Sequence, residues 1–161
     1  MHSQFKKTDN PSFVLKIDVS NSSDVCLPSE VYVLKRPWCD YFLENVAPFF
    51  EIVMFTASLS RYASAVFDYL DPKGTLIDHR LYREHCTHVK KQFYVKDLNR
   101  LGRPLTHVII VDNSPISYMY QPSNALPCSS WYSNPADNEL HHYLPLLQKL
   151  ARLNQDIRPL L

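Results

Sequence analysis

The feature that most constrains the fold is the run His107-Val108-Ile109-Ile110-Val111, which stops abruptly at Asp112-Asn113-Ser114-Pro115. A short apolar run, β-branched through its centre and closed by turn residues, predicts a strand buried on both faces. A second run, Ile52-Val53-Met54-Phe55, ends in Thr56-Ala57-Ser58. In an open α/β sheet, strands of this kind deliver their last residues to the carboxyl edge, where ligands and ions bind. Alone, Asp112-Asn113 reads as a turn that starts the next helix. With a hydroxyl at the end of the other strand, the two edges together read as the start of a phosphate or Mg²⁺ site.

The flanking pattern predicts strands alternating with helices. Phe13 to Val19 and Glu30 to Leu34 read as the arms of a hairpin with a long polar tip, Ser20 to Pro28, after a polar, strand-poor segment over 1–11. Pro37 opens a helix with Trp38, Tyr41, Phe42 and Val46 as its apolar stripe, and Pro48 ends it. Ser58 is placed to cap a helix to about Leu70, with Leu59, Tyr62, Val66 and Leu70 on one face. Asp71 to Gly74 is a turn, and a short strand falls within Leu76 to Tyr82. Phe93-Tyr94-Val95 and Ala125 to Pro127 are further short strands. Asp137 caps a last helix to about Leu150, with Leu140, Tyr143, Leu144 and Leu147 facing inward. This alternation predicts a mostly parallel, doubly wound, Rossmann-like α/β sheet in a single domain over residues 1–161, with a β-hairpin insertion.

Composition removes several function classes. With 17 basic and 16 acidic residues the net charge is +1, so no global field recruits nucleic acid or an anionic membrane. Only Gly74 and Gly102 occur, which excludes glycine-rich phosphate loops. The widely spaced Cys26, Cys39, Cys86 and Cys128 contain no C-x-x-C and fit reduced thiols better than a disulfide framework or a zinc knuckle. No apolar run approaches the ~20 residues of a membrane span, and MHSQFKKTDNPS lacks the core of a signal peptide.

Residues 83–103 hold Arg83, Lys90, Lys91, Lys96, Arg100 and Arg103 against Glu84 and Asp97. Lys90 and Lys91 read as a solvated face. Lys96 follows an apolar triplet and so emerges at a strand end, near where a phosphate would sit. Phosphoryl transfer needs a fixed cation, a hydroxyl donor, oxygen ligands for a divalent ion and a nucleophile. Lys96, Thr56 and Asp112 with Asn113 supply all but the last. Cys86 is not a cysteine-phosphatase nucleophile, because Gln92 stands where the arginine should be and no glycine intervenes. His85, Cys86 and His88 crowd three candidate ligands into four residues, a weak metal pattern.

The segments VYVLKRPWCDYFL (31–43), FTASLSRYA (55–63), LYREHC (81–86), YVKDLNRLGR (94–103) and VDNSPISY (111–118) resemble the small C-terminal-domain phosphatases. These are protein Ser/Thr phosphatases of the haloacid-dehalogenase superfamily. The resemblance covers nearly the whole chain. It implies Thr56 as the second-motif hydroxyl that holds phosphate and Lys96 as the third-motif cation. It implies Asp112 and Asn113 at the Mg²⁺, with Asn113 the more direct ligand. It further implies an apolar groove for a proline beside the phosphoserine, as in the RNA polymerase II tail, at Phe5, Ile17, Val19, Val31 and Leu59, with Tyr62 and Arg83 touching substrate. Ile17, Val19 and Val31 are equally what a half-buried hairpin needs.

The resemblance also implies a buried first strand ending D-L-D-E-T-L-V-H-S, whose first Asp is the nucleophile and whose second is the general acid/base. Met1-His2-Ser3 aligns with the end of that motif, and no D-x-D pair occurs in the chain. The expectation is an N-terminally truncated domain without its first central strand, one that neither folds well nor hydrolyses phosphate as written. Three readings follow: a Mg²⁺-dependent Ser/Thr phosphatase acting on a phosphoprotein in the nucleus or cytoplasm; a pseudophosphatase that grips phosphopeptides; and a scaffold like the related translocase subunit of the inner mitochondrial membrane.

Overall fold

In the computed structural model, which describes residues 2–4, 10–16 and 30–161, the chain opens with an antiparallel sheet. His2–Gln4 (β1), Phe13–Lys16 (β2) and Glu30–Leu34 (β3) stand in the order β1-β3-β2. The register from Phe13↔Val33 to Lys16↔Glu30 makes β2 and β3 the arms of the expected hairpin. Its tip, and the groove candidates Phe5, Ile17 and Val19, lie outside the described residues. The polar N-terminus carries no strand signal of its own. β1 forms on the second edge of β3, a tertiary cause that local pattern does not reveal.

The period of two along β3 puts Val31 and Val33 into the core at 1% and 0% exposure. They pack with Leu43 of helix Cys39–Val46 (α1) and with Ala63, Val66, Phe67 and Leu70 of helix Ser60–Leu70 (α2). Helix α1 departs from expectation at its start. Trp38, not Pro37, immediately precedes it, in a left-handed conformation (φ 65°) that turns the chain off β3. That turn carries Trp38 and Tyr41 to the surface, where Trp38 packs on His141, and leaves Leu43 and Val46 as the buried residues.

Strand Val53–Phe55 (β4) pairs in parallel with His79–Leu81 (β5), and α2 forms the crossover between them. The N-cap of α2 is Leu59 rather than Ser58, because the Ser58 N–H is held by Thr56 Oγ1 and its carbonyl by the Arg83 N–H. The basic segment contains an antiparallel hairpin, Thr87–Val89 (β6) with Phe93–Val95 (β7). Its tip residues Lys90 and Lys91 both have positive φ.

The run from His107 does not begin as a strand. Residues 105–107 form a 3₁₀ turn after Pro104, and the buried Asn124 amide donates to the carbonyls of Leu105 and Val108 (2.6 and 2.7 Å). Only Ile110–Asp112 (β8) joins a ladder, in parallel with Ala125–Pro127 (β9). Among the described residues β4 pairs only with β5, and β8 only with β9. The parallel strands therefore stand as two pairs with an open edge on each. Ile110 is buried while Val108, Ile109 and Val111 are half-buried, which is the exposure of an edge strand rather than one covered on both faces. Both pairs rest on common ground: Ile52, Ile109 and Val111 pack against Val46, Leu126, Leu144 and Leu147. The last two belong to helix Glu139–Leu150 (α3). Asn138, with no side-chain bond, stands at the N-cap of α3, because the Asp137 carboxylate is taken by Arg36.

Candidate active site

The residues at the ends of β4, β7 and β8 converge. Lys96 follows β7, and its N–H donates to the Ser117 carbonyl at 2.8 Å. Its Nζ donates to Asp112 Oδ2 at 2.5 Å, with side-chain exposures of 12% and 8%. Nζ also stands 5.9 Å from the centre of the Phe55 ring. A cation is thus fixed between the end of β8 and the end of β4. Asp112 is held further by the Ser114 N–H on Oδ1 (2.8 Å) and, through its backbone carbonyl, by the Cys128 N–H.

Thr56 leaves β4 with its N–H on the Leu81 carbonyl, and its Oγ1 accepts from the Ser58 N–H at 3.1 Å. The hydroxyl proton is therefore available to a ligand. The Thr56–Ser58 turn is pinned by Arg83, whose Nε donates to the Ala57 carbonyl at 2.7 Å while its guanidinium lies 4.9 Å over the Tyr94 ring. Beside it, Leu59, Arg83, Glu84, Cys86, His88 and Tyr94 line a cleft of about 350 Å³. The Cys86 thiol is buried and donates towards the Thr56 and Tyr82 carbonyls, and burial pushes its pKa up. It is a packed thiol, not a nucleophile.

Asn113 is exposed, and its Nδ2 donates to Ser130 Oγ at 2.9 Å. The loop that carries Ser130 rests on an ionic cluster with no signal in the sequence. Arg36, 5% exposed, donates to Asp137 at 2.7 and 2.8 Å, to Glu139 at 2.5 Å, and to the carbonyl and hydroxyl of Ser129. Nothing in K-R-P announces a buried arginine, because its partners lie about a hundred residues away.

The structure brings together Lys96, Asp112 and the end of β4, and places Leu59 and Arg83 in one cleft. It separates Val31 from them: at 1% exposure this side chain is core and presents no surface to a substrate. Tyr62 is half-buried and packs against the same core.

The family of NLI interacting factor-like phosphatases matches residues 1–158. A probable C-terminal domain small phosphatase of Dictyostelium discoideum is 48% identical over 98% of this chain and 49% of its own length. The human carboxy-terminal domain RNA polymerase II polypeptide A small phosphatase 1 is 45% identical over 96% of this chain and 56% of its own. The chain thus spans about half the length of these relatives. A solved structure of Fcp1, an essential RNA polymerase II CTD phosphatase, superposes on 92% of the chain and 40% of its own, with a TM-score of 0.57 at 21% identity, a likeness of fold. The chain therefore belongs to the NLI interacting factor-like phosphatases, the family of the CTD small phosphatases, on a Rossmann-like α/β fold of the haloacid-dehalogenase type.

Proposed function

We propose that the chain carries the phosphate- and metal-holding half of a protein serine/threonine phosphatase site, acting on phosphoserine beside proline in a peptide such as the RNA polymerase II tail. A nuclear setting goes with that substrate. The observation that carries this reading is the buried Lys96–Asp112 pair, with its ammonium over the ring of Phe55, the residue before Thr56. Phosphoryl transfer asks a protein chiefly for positioning and fixed positive charge. In this reading Lys96 offsets the phosphate charge and Thr56 donates its free proton to a phosphate oxygen. Leu59 and Arg83 grip the peptide from the cleft.

The family resemblance implies Mg²⁺, which takes hard oxygens and completes its shell with water and substrate phosphate; of the two residues it points to, Asp112 is already paired with Lys96. Both oxygens of Asp112 already accept hydrogen bonds, and the resemblance implies Asn113 as the more direct ligand. The ion, when bound, would neutralise charge on the phosphate. The nucleophile that the family resemblance implies, the first Asp of D-L-D-E-T, would come from a strand lying between β4 and β8, at their open edges.

A second reading, a phosphopeptide binder without turnover, is favoured by one observation: no D-x-D pair occurs among the 161 residues. Both readings require recognition of phosphoserine. Calorimetric titration with a phosphoserine-proline peptide and its unphosphorylated twin tests that requirement. The phosphorylated peptide should bind more tightly, and Lys96→Met should remove the difference. Equal binding of the two peptides by the unaltered chain would overturn both readings.

A further inference from the structure

A lysine carries its charge at the end of a flexible four-carbon stem, so the charge keeps one place only when the backbone beneath it is fixed as well as its tip. The tip of Lys96 is fixed by Asp112. Its backbone crosses the short gap between two buried residues, Val95 and Leu98. Leu98 opens a 3₁₀ turn over residues 98–101, capped by the Asp97 carboxylate, whose Oδ1 accepts from the Asn99 N–H at 3.1 Å.

Gln121 closes this turn from the other side. It is buried, and its amide bridges two successive residues: Nε2 donates to Asp97 Oδ1 at 2.8 Å, and Oε1 accepts from the Leu98 N–H at 3.1 Å. A peptide N–H only donates and a carboxylate only accepts, so each end of the amide has one place. Residues 117–121 therefore hold Lys96 from both sides, with the Ser117 carbonyl on its own N–H (2.8 Å) and the Gln121 amide on the two residues that follow. Gln121 is held in turn by its N–H on the Tyr118 carbonyl and by the Asn124 N–H on its own carbonyl, both at 3.0 Å. The stretch that runs on from Asp112 thus ties down the backbone of the lysine that Asp112 holds at its tip.

We propose that Gln121 is a positioning residue for Lys96, its amide fixing the turn from which the lysine reaches the phosphate. The inference rests on the reading of Lys96 as the cation that meets the phosphate. Only an amide serves both partners. An apolar side chain of similar size would leave the buried Leu98 N–H unpaired, and a carboxylate would face Asp97 with like charge. Misplacing a positioned group by about 1 Å can cost roughly 100-fold.

The test is calorimetric titration of the 161-residue chain with the phosphoserine-proline peptide and its unphosphorylated twin, below the melting onset of every variant compared. Gln121→Glu keeps the acceptor for the Leu98 N–H but turns a carboxylate towards Asp97. It should cut the advantage of the phosphorylated peptide about tenfold or more and leave binding of the twin unchanged. Adding Asp97→Asn reverses the polarity of that contact at unaltered net charge and should restore the advantage. If Gln121→Glu does not fold, Gln121→Met, which keeps the shape and loses both bonds, should show the same selective loss. Full advantage in the Gln121 variants beside its loss in Lys96→Met would overturn the positioning role and leave the phosphate reading standing. An equal loss for both peptides would overturn it too, as a general loosening of the fold. So would a loss in Gln121→Glu that Asp97→Asn does not restore, since added negative charge would then account for it. If the unaltered chain prefers neither peptide, the phosphate reading fails and this inference with it.

Discussion

Nζ of Lys96 stands 2.5 Å from Oδ2 of Asp112, and the pair joins the end of β7 to the end of β8 almost out of contact with water. Breaking a buried pair by removing one partner leaves an uncompensated charge, which costs about 3–5 kcal/mol. Lys96→Ala should therefore lower the unfolding free energy by roughly that amount, and the double variant Lys96→Met with Asp112→Leu should recover much of it. Urea denaturation of the three proteins checks both outcomes.

Arg36 makes the same argument at the other end of the site. It is the common partner of Asp137, Glu139 and Ser129, and its replacement by Ala leaves two neighbouring carboxylates facing each other. The expected loss is about 3 kcal/mol or more. Hydrogen exchange should show opening concentrated in residues 128–139 and the first turn of α3. A loss spread evenly over the chain would contradict the assignment of Arg36 as the anchor of that loop.

The Glu139 carboxyl should appear in the acid stability. Burial pushes its pKa up, but hydrogen bonds from Ser129, Tyr143 and Arg36 outweigh burial and hold it at about 2, below the ordinary 4.5. A group lowered in this way stabilises fully above its unfolded value, and that contribution is lost as the pH falls through the folded one. The advantage of the unaltered chain over Glu139→Gln should be full at pH 7 and shrink between 4.5 and about 2. Denaturation at a series of pH values measures it.

Asn124 sets where β8 begins. It is 2% exposed, and its amide nitrogen serves two carbonyls, those of Leu105 and Val108. Asn124→Ala would leave the Val108 carbonyl without that donor, at about 1–3 kcal/mol, while the Leu105 carbonyl keeps the Val108 N–H. A shifted midpoint with an unchanged slope in urea is the expected outcome.

Much of this arrangement was legible from local pattern. The apolar triplets of β4, β7 and β9 and the faces of α2 and α3 are short-range signals, and each leads to the element found. The same holds for Lys96 at a strand end and for Asp112 at the close of β8. Three things were not legible. β1 depends on an edge supplied by β3. Val31 reads alike as groove or core, because a period of two cannot say what covers a face. The Arg36 cluster and Ser130 depend on contacts across the fold: Arg36 meets Asp137, which also reads as a helix cap, and Glu139. Trp38 misled for a local reason. Its positive φ rotates the start of α1, so Trp38 and Tyr41 of the stripe counted from Pro37 fall on the outer face while Phe42 and Val46 stay inward.

The central claim is that the ends of β4 and β8 hold the phosphate side of a phosphatase site whose nucleophile sits on a strand between them. The most direct measurement is phosphate release from a phosphoserine-proline peptide, with Mg²⁺ present or chelated, by the chain preceded by an apolar strand ending D-x-D-x-T. The account predicts Mg²⁺-dependent release that Lys96→Ala sharply reduces, and none from the 161-residue chain alone. Release unaffected by Lys96→Ala, or equal release without the added strand, would contradict it.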